Sequence, residues 1–123
     1  MSIRVLVPDP DELLLEVFEQ SLARHGFEVF TATAGEDCLE KLREYLPHVL
    51  VIEPDLPDDL GARVIQLIIE NSHVPTVPVV IVSRHEREQS VVPLDTLIGA
   101  YHVKPVSMDL LAQSIRSAVD EGP

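Results

Sequence analysis

Short apolar runs and amphipathic stretches alternate along this chain from end to end, and that alternation limits the fold more than any other feature. Ile3 to Val7 is rich in β-branched residues and reads as a first strand. Asp9-Pro10 has the form of an N-cap followed by proline at the first helical position. The helix is expected to run to about His25, with Leu14, Val17, Phe18 and Leu22 inward and Gly26 ending it. Phe27 to Thr31 reads as a second strand. Thr33-Ala34-Gly35-Glu36 has the spacing of a capping box, opening a helix that buries Cys38, Leu39 and Leu42 and stops at Pro47.

Val49 to Ile52 is apolar at every position, as a parallel strand covered on both faces should be. An acidic, proline-broken loop from Glu53 to Asp59 follows. A third helix is expected over about Gly61 to Asn71, burying Val64, Ile65 and Ile68, with Leu67 at its margin. Val79 to Val82 is a further strand, ending at Ser83. Arg84 to Leu97 is polar and then broken by Pro93, so at most a short, irregular helix belongs there. Ala100 to Val103 gives the last strand. Ser107 caps a final helix with Met108, Leu111, Ala112, Ile115 and Val119 inward. Strands alternating with helices imply one α/β domain over residues 1–123, a (βα)5 parallel sheet with helices on both faces.

Composition excludes several function classes. A chain of 123 residues is one domain's worth, and Trp is absent, so aliphatic side chains fill the core. No run is long enough to cross a bilayer, and no signal-peptide pattern opens the chain. The lone Cys38 rules out an internal disulfide framework and suits a cytoplasmic setting. A formal net charge of −12 disfavours nucleic acid and anionic membranes as direct partners and leaves proteins. The five histidines (His25, His48, His73, His85 and His102) lack metal-ligand spacing.

In an open α/β sheet, sites form beyond the carboxyl ends of the strands. Here those positions hold Asp9, Glu53, Ser83 and Lys104. Singly each has a plain reading: a helix cap, a loop acid, a strand-end hydroxyl, a lysine held extended by Pro105. Together they make a polar cluster of two acids, a hydroxyl and a cation. In order, Val5-Leu6-Val7-Pro8-Asp9, Pro47 to Gly61, Pro78 to Ser83 and Tyr101-His102-Val103-Lys104-Pro105 resemble the receiver domains of two-component response regulators over nearly the whole chain. The resemblance implies a flavodoxin-like, doubly wound sheet of order 2-1-3-4-5. It implies that Asp9 is the first of an acidic metal-binding pair, Ser83 and Lys104 bind phosphoryl oxygens, and Ser83 and Tyr101 switch. Pro57 and Gly61 match the proline and glycine after the acceptor.

Two positions depart from the family pattern. Glu53 stands where the family has its acceptor aspartate, and Pro10 replaces the second metal-binding acid. A glutamate carries its oxygens further by one C–C bond, about 1.5 Å. In-line phosphoryl transfer loses on the order of 100-fold in rate for about 1 Å of misplacement. Asp9 and Glu53 against Lys104 leave a pocket one carboxylate short, so Mg²⁺ binds weakly or not at all, with Asp9 and Asp55 the remaining metal candidates. The longer Glu53 side chain is also expected to reach Lys104 directly.

The expected function is an atypical receiver, a pseudo-receiver that regulates by binding a protein such as a signalling kinase or an output protein, or by forming a homodimer. Tyr101, Val103, Leu110, Gln113 and Ser114 are the expected interaction surface, implied by the resemblance. The alternative is a working receiver that accepts a phosphoryl group at Glu53 or Asp55 with weak Mg²⁺. A flavodoxin-like enzyme or flavin binder fits worse, because Pro8-Asp9-Pro10-Asp11-Glu12 is acidic and glycine-free where a phosphate loop would sit. No enzyme activity is expected.

Overall fold

The computed structural model describes residues 2–53, 60–71, 77–83 and 98–121. Along them run β1 (Arg4–Pro8), α1 (Glu12–Arg24), β2 (Glu28–Ala32), α2 (Gly35–Tyr45), β3 (Val49–Ile52), α3 (Leu60–Glu70), β4 (Val79–Ser83), β5 (Ile98–Val103) and α4 (Met108–Glu121). The strands form one five-stranded sheet of order β2-β1-β3-β4-β5, every pair parallel. The expected strand order is therefore present, with four helices among the described residues. The stretch expected to hold a short irregular helix, 84–97, lies outside them. No helix among the described residues is long and apolar enough to cross a membrane.

The two-residue period of the strands sorts the core into two layers. Leu6, Leu50, Ile52, Val79 and Ile81 point to the face covered by α2 and α3, where Cys38, Leu42, Val64, Ile65 and Ile68 meet them. Val5, Val7, Val49, Val51, Val80 and Val82 point to the other face, against Leu15 and Leu22 of α1 and Leu111, Ala112 and Ile115 of α4. Both β3 and β4 are buried at every position, which is why they read as unbroken apolar runs. The pairing of β4 with β5 carries a register shift between Val79 and Val80. It lets β5 begin at Ile98, two residues before the expected Ala100.

Helix ends account for the other differences. Asp9 is not the cap of α1. Its side chain turns toward the sheet end and accepts the Asp11 N–H at 2.8 Å, so the chain goes on to a second aspartate before the helix begins. Asp11 is the cap, accepting from the Leu13 and Leu14 N–H groups at 3.0 and 3.2 Å. Pro10 thus precedes the helix instead of opening it. The inner stripe is Leu15 and Leu22, with Leu14 and Phe18 half-buried. Val17, expected inward, is 56% exposed, because it lies about 200° around the helix from Leu15.

The capping box at Thr33 does not form either. Ala34 takes the N-cap position of α2, one residue late for the Thr33 hydroxyl to serve, and no side chain caps the helix there. At the other end, Leu46 adopts a left-handed conformation (φ 50°), and the Arg4 guanidinium donates to the carbonyls of Tyr45 and Leu46. In α4 the expected cap is present: the Leu110 N–H donates to Ser107 Oγ at 3.1 Å. Ala118 joins the buried face of α4, with Met108 and Val119 at its edge. α3 starts one residue earlier than expected and buries Leu60 along with Val64, Ile65 and Ile68.

Candidate functional site

The carboxyl edge of the sheet gathers Asp9 after β1, Glu53 after β3, Ser83 at the end of β4 and Lys104 after β5. Parallel strands in register bring their ends together, so residues far apart in sequence become neighbours there. The Lys104 N–H donates to the Ser83 carbonyl at 2.7 Å, which ties the end of β5 to the end of β4. The Lys104–Pro105 peptide is cis. Lys104 Nζ donates to Glu53 Oε1 and pairs with it as a salt bridge. Glu53 is the more buried partner, its side chain 15% exposed against 36% for Lys104. The direct contact expected from the extra methylene is thus made, and it takes the lysine's charge for the protein's own carboxylate.

A close backbone approach holds Glu53 in place. A Cβ built on Gly61, at the start of α3, would stand 2.3 Å from the Glu53 carbonyl oxygen and 2.8 Å from its carbonyl carbon. Only a glycine lets the first turn of α3 rest on the backbone that presents the Glu53 side chain. Sequence reading found Gly61 through the resemblance alone, and the contact behind it is visible only in three dimensions.

Asp9 is 3% exposed, and its backbone N–H donates to the Ala32 carbonyl at 2.9 Å. Burial pushes its carboxyl above the ordinary carboxylate range. The Asp11 N–H opposes this, the charges of Glu53 and Asp11 add to it, and Lys104 counters it. Two carboxylates sharing one lysine make one of them hold its proton more tightly. Asp11, which sequence reading did not single out, therefore acts on the site through both its N–H and its charge.

The donor set among these residues fits a divalent cation poorly. Asp9 has one oxygen committed to the Asp11 N–H, Glu53 is paired with Lys104, and Pro10 offers no side-chain donor. Among the described residues no group of three His, Cys, Asp or Glu side chains is placed to hold a metal. Asp55 and Pro57 lie outside the described residues. Pro10 is exposed and borders a groove of about 260 Å³ between the β2–α2 turn and α3, near Gly35 and Arg63.

The remaining candidates divide between the faces of β5. Tyr101 is half-buried and packs on the core layer under α2 and α3. Val103, two residues on, shares its face and is 36% exposed. His102 points the other way, its Nε2 lying 2.6 Å from Ser114 Oγ of α4. Ser114, expected to face outward, is half-buried and engaged by that contact. Gln113 is exposed, and Leu110 is 46% exposed. Cys38 is fully buried, and its thiol is pushed up to about 12 by burial, so it is a core residue without nucleophilic use.

The fold agrees with comparisons to known proteins. Residues 5–116 match the family model described as the response regulator receiver domain. The chain is 32% identical over 118 residues to the transcriptional regulatory protein AfsQ1 of Streptomyces coelicolor, covering 96% of this chain and 52% of that protein. It is 31% identical over 116 residues to the transcriptional regulatory protein KdpE of Mycobacterium tuberculosis, covering 94% and 50%. The chain thus spans about half the length of these curated relatives. Among solved structures, a CheY-like response regulator receiver domain protein from Methanospirillum hungatei superposes with a TM-score of 0.80 at 26% identity, covering 98% of this chain and 96% of that one. A match running from the first strand into the last helix leaves one conclusion: this chain belongs to the response regulator receiver domain family of two-component systems.

Proposed function

We propose that this receiver domain is an atypical one, regulating a partner protein by binding, largely without phosphorylation of an aspartate. The Glu53–Lys104 salt bridge carries the reading. In phosphoryl transfer a lysine of this kind neutralises the equatorial oxygens of the incoming group. Here that charge is already matched by a carboxylate of the chain, and Glu53 stands in the acceptor's place. Weak metal binding follows from Pro10, which removes one ligand from the Asp9 side of the pocket.

The partner is a protein, in keeping with the net charge of −12. It is a signalling kinase, an output protein or a second copy of the domain. Its contact includes the exposed Val103, Leu110 and Gln113. A cytoplasmic setting suits both the lone buried Cys38 and the curated relatives' role as transcriptional regulators.

The test is an NMR titration with Mg²⁺, with and without beryllofluoride, following the amides of Asp9, Glu53, Ser83, Tyr101 and Lys104. No coordinated shifts at millimolar metal are expected. Saturable shifts that reach Tyr101 would restore a phosphorylatable switch. Intact mass after acetyl phosphate treatment gives an independent check, with no added phosphoryl group expected.

A further inference from the structure

A cluster joining the end of α1 to α4 sets a requirement that simple hydrogen-bond chemistry makes explicit. His25 Nδ1 lies 2.9 Å from the Ser21 carbonyl oxygen, and its Nε2 lies 2.9 Å from Asp109 Oδ1. A carbonyl and a carboxylate only accept hydrogen bonds, while a neutral imidazole has a single N–H. Both contacts are hydrogen bonds only when both ring nitrogens carry protons.

The backbone explains why the ring is needed. The His25 N–H, which would bond Ser21 in a continuing helix, is turned to the Leu22 carbonyl at 3.0 Å. Gly26, at φ 91°, donates to Ala23, and Phe27 donates to Leu22. Ser21 is left to the imidazole. A positive ring also suits the negative end of the α1 dipole, and Asp109 suits the first turn of α4. The charged groups of α4 that face His25 are Asp109, which favours the proton, and Arg116, which opposes it. Arg116 Nη2 donates to the His25 carbonyl at 2.6 Å, and its guanidinium lies 5.0 Å from the Phe27 ring centre.

We propose that His25, Ser21 and Asp109 form a proton-operated tie between α1 and α4, held at both ends when the imidazole is doubly protonated and at only one when it loses that proton. The balance of these groups raises the His25 pKa, through Asp109 first and the Ser21 carbonyl next. The tie stands whether or not the domain takes a phosphoryl group. It anchors the helix that carries Leu110 and Gln113, so the proton is a ligand whose occupancy reaches the exposed face of α4.

The experiment is an NMR titration of the histidine ring nitrogens and backbone amides from pH 5 to 9, in wild type and Asp109→Asn. Asp109 is 94% exposed, so the variant keeps its fold. In wild type the His25 midpoint is expected above that of an ordinary imidazole, with the Asp109 and Leu110 amides moving at the same midpoint. Asp109→Asn should lower the His25 midpoint and leave that of His48 in place. A wild-type midpoint at or below the ordinary value overturns the proposal. So does a midpoint indifferent to Asp109→Asn, or α4 amides that ignore the titration.

Discussion

Asp9 and Lys104 stand in opposite relations to Glu53. Lys104 is its counter-ion, while Asp9 is a second negative charge nearby, and a buried one. Because burial raises the Asp9 pKa above its unfolded value, the folded state binds the proton more tightly than the unfolded chain. Stability therefore falls as pH rises through the interval between the two values, and the cost persists at neutral pH. Asp9→Asn keeps an oxygen for the Asp11 N–H and removes the charge. Its urea midpoint at pH 7 should exceed that of wild type, with the gain shrinking as the pH is lowered through the carboxylate range. An equal or lower midpoint at pH 7 would mean that the attraction of Lys104 outweighs burial. At this scale the sequence was informative where chemistry depends on residue type alone: one methylene in Glu53 and the missing side-chain ligand of Pro10. It was silent on Asp11, whose effect depends on where the turn after β1 places its N–H.

Among the elements, the start of α3 matters most to the site. Gly61→Ala forces a methyl group against the Glu53 carbonyl, where the nearest atoms are backbone and cannot swing aside. Such overpacking costs about 1–3 kcal/mol. The variant should lose that much unfolding free energy in urea titrations and displace the Glu53 and Lys104 amide resonances. Unchanged resonances would show that α3 shifts without disturbing the salt bridge. The helices also show why element ends were the harder reading. A cap is decided by which of two nearby residues adopts an extended backbone, and at both Asp9/Asp11 and Thr33/Ala34 the later residue prevailed. One residue of phase moved Val17 from the expected core to solvent.

On the scale of the whole molecule, two histidines give the fold opposing pH slopes. His48 Nδ1 accepts the Arg4 N–H at 2.9 Å across β1 and the start of β3, so its ring must be unprotonated there. Burial, then the Arg4 charge, lowers its pKa. Its contribution is present above the unfolded imidazole value and lost as pH falls through that value toward the folded one. His25, with a raised pKa, contributes below the unfolded value and loses that contribution as pH rises through the folded one. Comparing urea midpoints at pH 7 and pH 5 separates them. The loss on acidification should be smaller in His48→Gln than in wild type. A loss of the same size would show that the His48 proton is not linked to folding.

The sequence by itself determined the alternation of strands and helices, the two apolar layers, and the residue types at the carboxyl edge of the sheet. Those depend on periodicity and on the identity of single side chains, which are local properties. Tertiary structure alone decided the rest. It chose Asp11 over Asp9 as the cap, set the first turn of α3 against Glu53, turned Ser114 to His102, and brought Asp109 to His25 across 84 positions of chain. All but the cap are contacts between segments that meet only in the folded chain. No period or spacing along the chain records which side chains such a meeting will join.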